Sequence, residues 1–141
     1  MIRISIVCLG LIILTACTSN YPLKSVDYND LLTGGNSKVW VINKMVVKKV
    51  NVAQHDLENK EVFIFHESGV VDYLPLKAIG EKSPQKGRFY LDSDKRTLSL
   101  TFEHKVWLFK LSILEEHKIV MRPKKGGKAP FTAELIPLPE L

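Results

Sequence analysis

The chain reads as all-β: a small antiparallel up-and-down barrel of about eight strands with a short N-terminal helix. Three observations carry this reading. Leu98, Leu100 and Phe102 alternate with Thr97, Ser99, Thr101 and Glu103, the two-residue period of a strand with one dry and one wet face. Apolar, β-branched and aromatic runs recur from residue 38 to residue 138, separated by short polar turns. Only residues 25–32 offer a helix. Runs joined by short turns pair antiparallel, and a meander shields its two edges most simply by closing on itself.

Met1 to Cys17 has the order of a secretory signal: a positive start at the amino terminus and Arg3, an apolar core over residues 4–14, then small residues. Eleven residues at ~1.5 Å each fall short of a bilayer, so a transmembrane helix is the poorer reading. Leu14-Thr15-Ala16-Cys17 resembles the lipobox of bacterial lipoproteins, with Leu at −3, small residues at −2 and −1, and Cys at +1. The resemblance implies that the Cys17 thiol takes up a diacylglycerol, that residues 1–16 are removed as a signal peptide, and that the new amino group is acylated. A thiolate is nucleophilic enough for that step near neutral pH. Two or more acyl chains anchor firmly where one holds only marginally. Thr18 stands where an Asp retains well-known enteric lipoproteins in the inner membrane, so an outer-membrane location is expected.

Removing the first 16 of 141 residues leaves 125, the size of one domain with a modest core. Of the 20 basic and 15 acidic residues only Arg3 is lost, so the balance stays positive. The two cysteines are Cys8, in the discarded segment, and Cys17, so no disulfide or cysteine metal site is expected in the domain. Lys124, Lys125 and Lys128 around Gly126-Gly127 form the densest basic group, suited to a solvated hairpin tip or to anionic lipid or glycan. A basic stripe interleaved with aromatics is absent, which argues against nucleic acid.

Residues 17–24, with Pro22, read as a tether, and residues 25–141 as the barrel domain. Ser25 or Asp27 caps the helix and Gly34-Gly35 ends it, with Val26, Leu31 and Leu32 sealing one end of the barrel. Val39–Val50 is expected as one bent strand with apolar residues on both faces, and residues 52–60 as a loop. Glu61–His66 and Val70–Ala78 form a hairpin around Glu67-Ser68-Gly69, with Pro75 suggesting an edge or a bulge. Gly87–Leu91 and Thr97–Glu103 flank a turn at Asp92–Arg96. Trp107, Phe109, Leu111 and Ile113 are expected inside, alternating with Leu108, Lys110 and Ser112. Lys118–Arg122 and Phe131–Leu138 complete the set. An outer-membrane porin is excluded, because the strands are too short and their polar faces would meet lipid.

Leu32 to Trp40, then Phe63-Ile64-Phe65-His66-Glu67-Ser68-Gly69, then Gly87-Arg88-Phe89-Tyr90-Leu91 followed by Leu98-Ser99-Leu100 resemble the small bacterial lipocalin-like lipoproteins. That family shows a Gly-x-Trp near the first strand, a Phe-x-x-x-Gly hairpin, and a Gly-x-Trp-x-Leu before a Leu-x-Leu strand. Here Gly35 lies five residues before Trp40, and Phe89 replaces the second Trp. The resemblance covers residues 31–122 and implies the fold; it carries over no binding residue.

The histidines are His55, His66, His104 and His117, and none falls in an HxH or HExxH spacing. His66-Glu67 is the one tempting pair, but a histidine at a turn is commonly just solvated. There is no GxSxG elbow and no Gly-rich phosphate loop, so no catalytic residue, metal or cofactor is expected. The inward-facing set remains: Trp40, Phe63, Phe65, Phe89, Phe102 and Phe109, with Leu98, Leu100, Leu111 and Met121, and with Tyr73, Tyr90 and Trp107 near a mouth. Two functions follow. One is a non-catalytic binding module holding a small apolar ligand or a lipid in the barrel. The other is an accessory subunit of an envelope complex, a filled barrel that offers the edge near Pro75, the Val39–Val50 strand or the tail from Leu135 to a partner.

Overall fold

The structure is a computed structural model that describes residues 27–52, 60–81 and 84–139. The lipobox, Cys17, the tether, Ser25, Val26 and His55 lie outside the described residues.

Among the described residues, eight antiparallel strands close into a barrel, with one short α-helix before them and one extra short strand. The helix, α1, spans Tyr28–Thr33. Asp27 is its N-cap and accepts from the amides of Asn29 and Asp30; Gly34, at φ 64°, ends it in the left-handed region. The strands are β1 (Ser37–Val47), β2 (Val50–Val52), β3 (Glu61–His66), β4 (Val70–Pro75), β5 (Gln85–Asp92), β6 (Thr97–Phe102), β7 (Lys105–Glu115), β8 (Lys118–Pro123) and β9 (Thr132–Pro137). Each of β3 to β9 pairs with its sequence neighbour, and β9 pairs back onto β1 from Trp40 to Val46. The short β2 extends the end of β1 as a hairpin.

Two bulges explain where the alternation breaks. In β1 the register against β9 shifts at Asn43, so Trp40 and Ile42 face inward before it and Met45 and Val47 after it. In β7 the register against β8 shifts at Ser112. The residue buried beyond Leu111 is therefore Leu114, not Ile113, which corrects the expected alternation. Val39–Val50 is likewise not a single strand. It turns at Lys48 and Lys49, both in the left-handed region at φ 48° and 65°.

Pro75 is the last residue of β4, past the β4–β5 ladder that ends at Tyr73 and Gln85, so its missing N–H costs that ladder nothing. Because the barrel closes, β4 is not an edge. The chain then makes a single 3-10 turn at Leu76–Ala78 instead of extending the strand.

The barrel has two unlike ends. At one, α1 sits beside the tight β3–β4, β5–β6 and β7–β8 turns, and the Trp40 indole donates to the Leu32 carbonyl at 2.8 Å. Leu32 is fully buried there. At the other end lie the β1–β2 turn, the β6–β7 turn and the β8–β9 connection. We call these the closed and the open end.

Candidate functional site

The interior is built from alternate residues of every barrel strand. Trp40, Phe63, Phe65, Phe102 and Phe109 are essentially inaccessible, and Leu98, Leu100, Leu111 and Met121 are buried with them. Phe89, Tyr73 and Trp107 are partly buried against the same cluster. Tyr90 is different. It is 69 % exposed, because it stands between the inward Phe89 and Leu91 on the outer face of β5, and it does not join the mouth.

The rings touch one another in an unbroken series. Phe89 meets Phe65 edge-on at 5.1 Å between centroids, Phe65 lies 6.0 Å from Phe63, and Phe63 stacks on Tyr73 at 4.8 Å. Tyr73 meets Trp107 at 5.8 Å, Trp107 meets Phe131 at 5.6 Å, and Phe131 meets Phe109 at 5.8 Å. Phe102 fills the angle between Tyr73 and Trp107. These are ordinary ring-packing distances, so the series is contact from end to end. An eight-stranded barrel is just wide enough for its side chains to fill it.

Gly87 permits this packing. A Cβ there would lie 2.4 Å from the Thr101 carbonyl oxygen and 2.6 Å from a Phe102 ring carbon, so the ring takes the space a side chain would need. At the open end the Tyr73 hydroxyl donates to Glu61. Burial, this bond and the negative charge of Glu61 all push the phenol far above its ordinary range. Tyr73 is thus held neutral with its donor committed.

On the outer wall the structure joins three residues that the sequence reading kept apart. Ser37 Oγ lies 2.6 Å from His66 Nδ1, and His66 Nε2 lies 2.8 Å from Asp72 Oδ2. Ser37 and His66 are directly opposed on β1 and β3, and Asp72 is the partner of Ile64 on β4, one step along the same face. Asp72 Oδ1 is buried with no hydrogen-bond partner. The residue types and order match a nucleophile, base and orienting acid. The hydroxyl, however, stands exposed on the outer wall of the barrel. The contact needs the strand register, which residue spacing alone does not give.

Below this relay the outer wall turns apolar. Val41, Val62 and Leu74 are buried there, with Val39, Ile64, Leu76, Ala78, Ile136 and Leu138 packed around them. The Leu138 amide donates to the Val39 carbonyl at 3.0 Å, which draws the tail across β1. The segment after Pro75, the outer face of β1 and the C-terminal tail therefore meet in one patch. Beside it, Glu134 accepts from Asn43 and pairs with Lys118 at 3.3 Å and Lys44 at 3.9 Å.

Among the described residues no group of three His, Cys, Asp or Glu is placed to hold a metal ion. His66 ends β3, while His104 and His117 lie in turns. Fold and site together define an all-β, closed antiparallel barrel of the lipocalin-like kind with a helix across one end. No family model, curated protein or solved structure matches the chain.

Proposed function

We propose that the protein is a bacterial lipoprotein, held at the outer membrane through acylated Cys17, whose barrel acts as a non-catalytic accessory module for another envelope protein. The observation that carries this reading is the unbroken series of ring contacts from Phe89 to Phe109, which leaves the interior occupied by the chain's own side chains. A barrel filled in this way works by its surface. The apolar patch around Val39, Ile64 and Ile136 gathers the three candidate surfaces into one, as a docking face would require.

A photo-crosslinker placed at Ile64 or Ile136, in cells making the full chain, should yield a discrete adduct with one envelope protein. The same group at exposed Tyr90, on the outer face of β5, should not. Equal, diffuse labelling from both positions would overturn the accessory reading.

The ligand-holding barrel is the second reading, favoured by the half-buried Tyr73 and Trp107 at the open end. A shallow recess of about 390 Å³ opens beside Trp107, between Lys105 and Lys128. That volume lies at the low end of the range of small-molecule pockets.

A further inference from the structure

The two ends of the barrel carry opposite charge. Around the closed end Asp27 and Asp30 of the helix segment, Glu67 of the β3–β4 turn, Asp92 and Asp94 at the β5–β6 turn and Glu115 and Glu116 at the β7–β8 turn outnumber Lys38, Lys95, Arg96 and Lys118. Around the open end stand Lys48 and Lys49 of the β1–β2 turn, Lys105 beside the β6–β7 turn, and Lys124, Lys125 and Lys128 of the β8–β9 connection. All six lysines are exposed. None of them forms an ion pair among the described residues. Among the described residues, the acids that share their end as exposed groups are Glu81 and Glu103; Glu61 is engaged by Tyr73.

The sequence shows only a net excess of base, spread along the chain. Folding sorts it, because the alternate connections of a meander fall at the same end. Lysines 76 residues apart, Lys48 and Lys124, thereby join one rim. Apolar side chains stand among them: Val50 is 65 % exposed and Val106 49 % exposed, and Val106, Trp107 and Pro130 line the recess between Lys105 and Lys128. Long cationic side chains around exposed valines and a half-buried indole are the composition of an interfacial surface.

We infer that the open end docks on an anionic lipid surface, with the six lysines at the headgroups and Val50, Val106 and Trp107 against the interface. The acidic, helix-capped end then faces away from the lipid. Charge complementarity selects this occupant: a neutral surface would gain nothing from the lysines, and the exposed valines favour a partner that also offers apolar depth. The inference does not depend on Cys17 being acylated.

The test uses full-chain protein carrying Cys17→Ser, mixed with vesicles of phosphatidylcholine alone or with about one-third phosphatidylglycerol. Residues 4–14 can hold the chain to either vesicle, so retention is not the readout. The readout is quenching of tryptophan fluorescence by brominated acyl chains. Trp40 is fully buried in the barrel, so the quenched signal reports Trp107, and Trp107→Phe should abolish it. Each lysine near an anionic surface is worth about fivefold in partitioning. With the chain held on both vesicles, quenching should therefore be severalfold stronger with phosphatidylglycerol than without, and K124E/K125E/K128E should erase that difference. Lys105→Glu, a single change in a separate turn, should halve it or more, which guards against misfolding of the triple variant. Equal quenching with both vesicles, or unchanged quenching in folded Lys→Glu variants, would overturn the inference.

Discussion

The Trp40 indole N–H reaches the Leu32 carbonyl at 2.8 Å, and both residues are fully buried. This bond fastens the last turn of α1 across the barrel floor. A six-residue helix is too short to hold itself, so it depends on such attachments. Lys38 adds a second one. Its ammonium donates to the carbonyls of Leu31 and Glu116 and lies 4.3 Å from the Trp40 ring centroid, tying the helix to the β7–β8 turn. Burial lowers its pKa, and the charge of Glu116 works against that.

Trp40→Phe keeps most of the ring and deletes the donor. The Leu32 carbonyl is then left buried and unpaired, which costs about 1–3 kcal/mol. Urea denaturation should show a lower midpoint with little change in slope.

Gly87→Ala places a methyl group against the Thr101 carbonyl and the Phe102 ring. Overpacking of this kind costs about 1–3 kcal/mol. Phe102→Leu in the same chain should recover part of the loss, since the ring contact is relieved and the backbone contact is not. A thermodynamic cycle over the two changes should give a coupling well outside error.

The carboxyl of Glu134 is held below its ordinary value of 4.5, first by the hydrogen bond from Asn43 and then by Lys118 and Lys44, with burial opposing them. A depressed folded pKa means that the unfolded chain binds the proton more readily, so stability rises with pH across this range. The contribution is present above the unfolded pKa, near 4.5, and is lost as pH falls through the lower folded value. Stability curves of wild type and Glu134→Gln should converge on that acid side. The opposite trend would mean that the Asn43 bond does not form.

The relay at Ser37, His66 and Asp72 gives the non-catalytic reading its sharpest trial. A fluorophosphonate should leave Ser37 unlabelled at concentrations that saturate a serine hydrolase. Labelling at Ser37 that disappears with His66→Ala would mean that the hydroxyl is an activated nucleophile, and the accessory role would fall.

The barrel was legible in the sequence because its inward faces follow the strand period in single, clean runs such as Leu98-Ser99-Leu100-Thr101-Phe102. The cap was legible too, since Asp27 and Gly34 are residues with a mechanical reason to begin and end a helix. What escaped was set by details that leave no compositional mark. The β1–β2 turn is Lys48-Lys49, both in the left-handed conformation, where glycine or asparagine is the readable signal. The Asn43 and Ser112 bulges swap faces mid-strand, which moved Leu114 inside and Ile113 out. The Ser37–His66–Asp72 contact and the charged ends arise only once register and topology are known.

The barrel interior is taken up by the chain's own rings. Native mass spectrometry of the full chain, released gently from membranes, weighs the folded protein with whatever it holds. The expected result is the mass of the chain and any lipid joined at Cys17, with nothing further. A stoichiometric apolar adduct lost from a folded Phe63→Trp variant, while Cys17→Ser retains it, would contradict the account and restore the ligand-holding barrel.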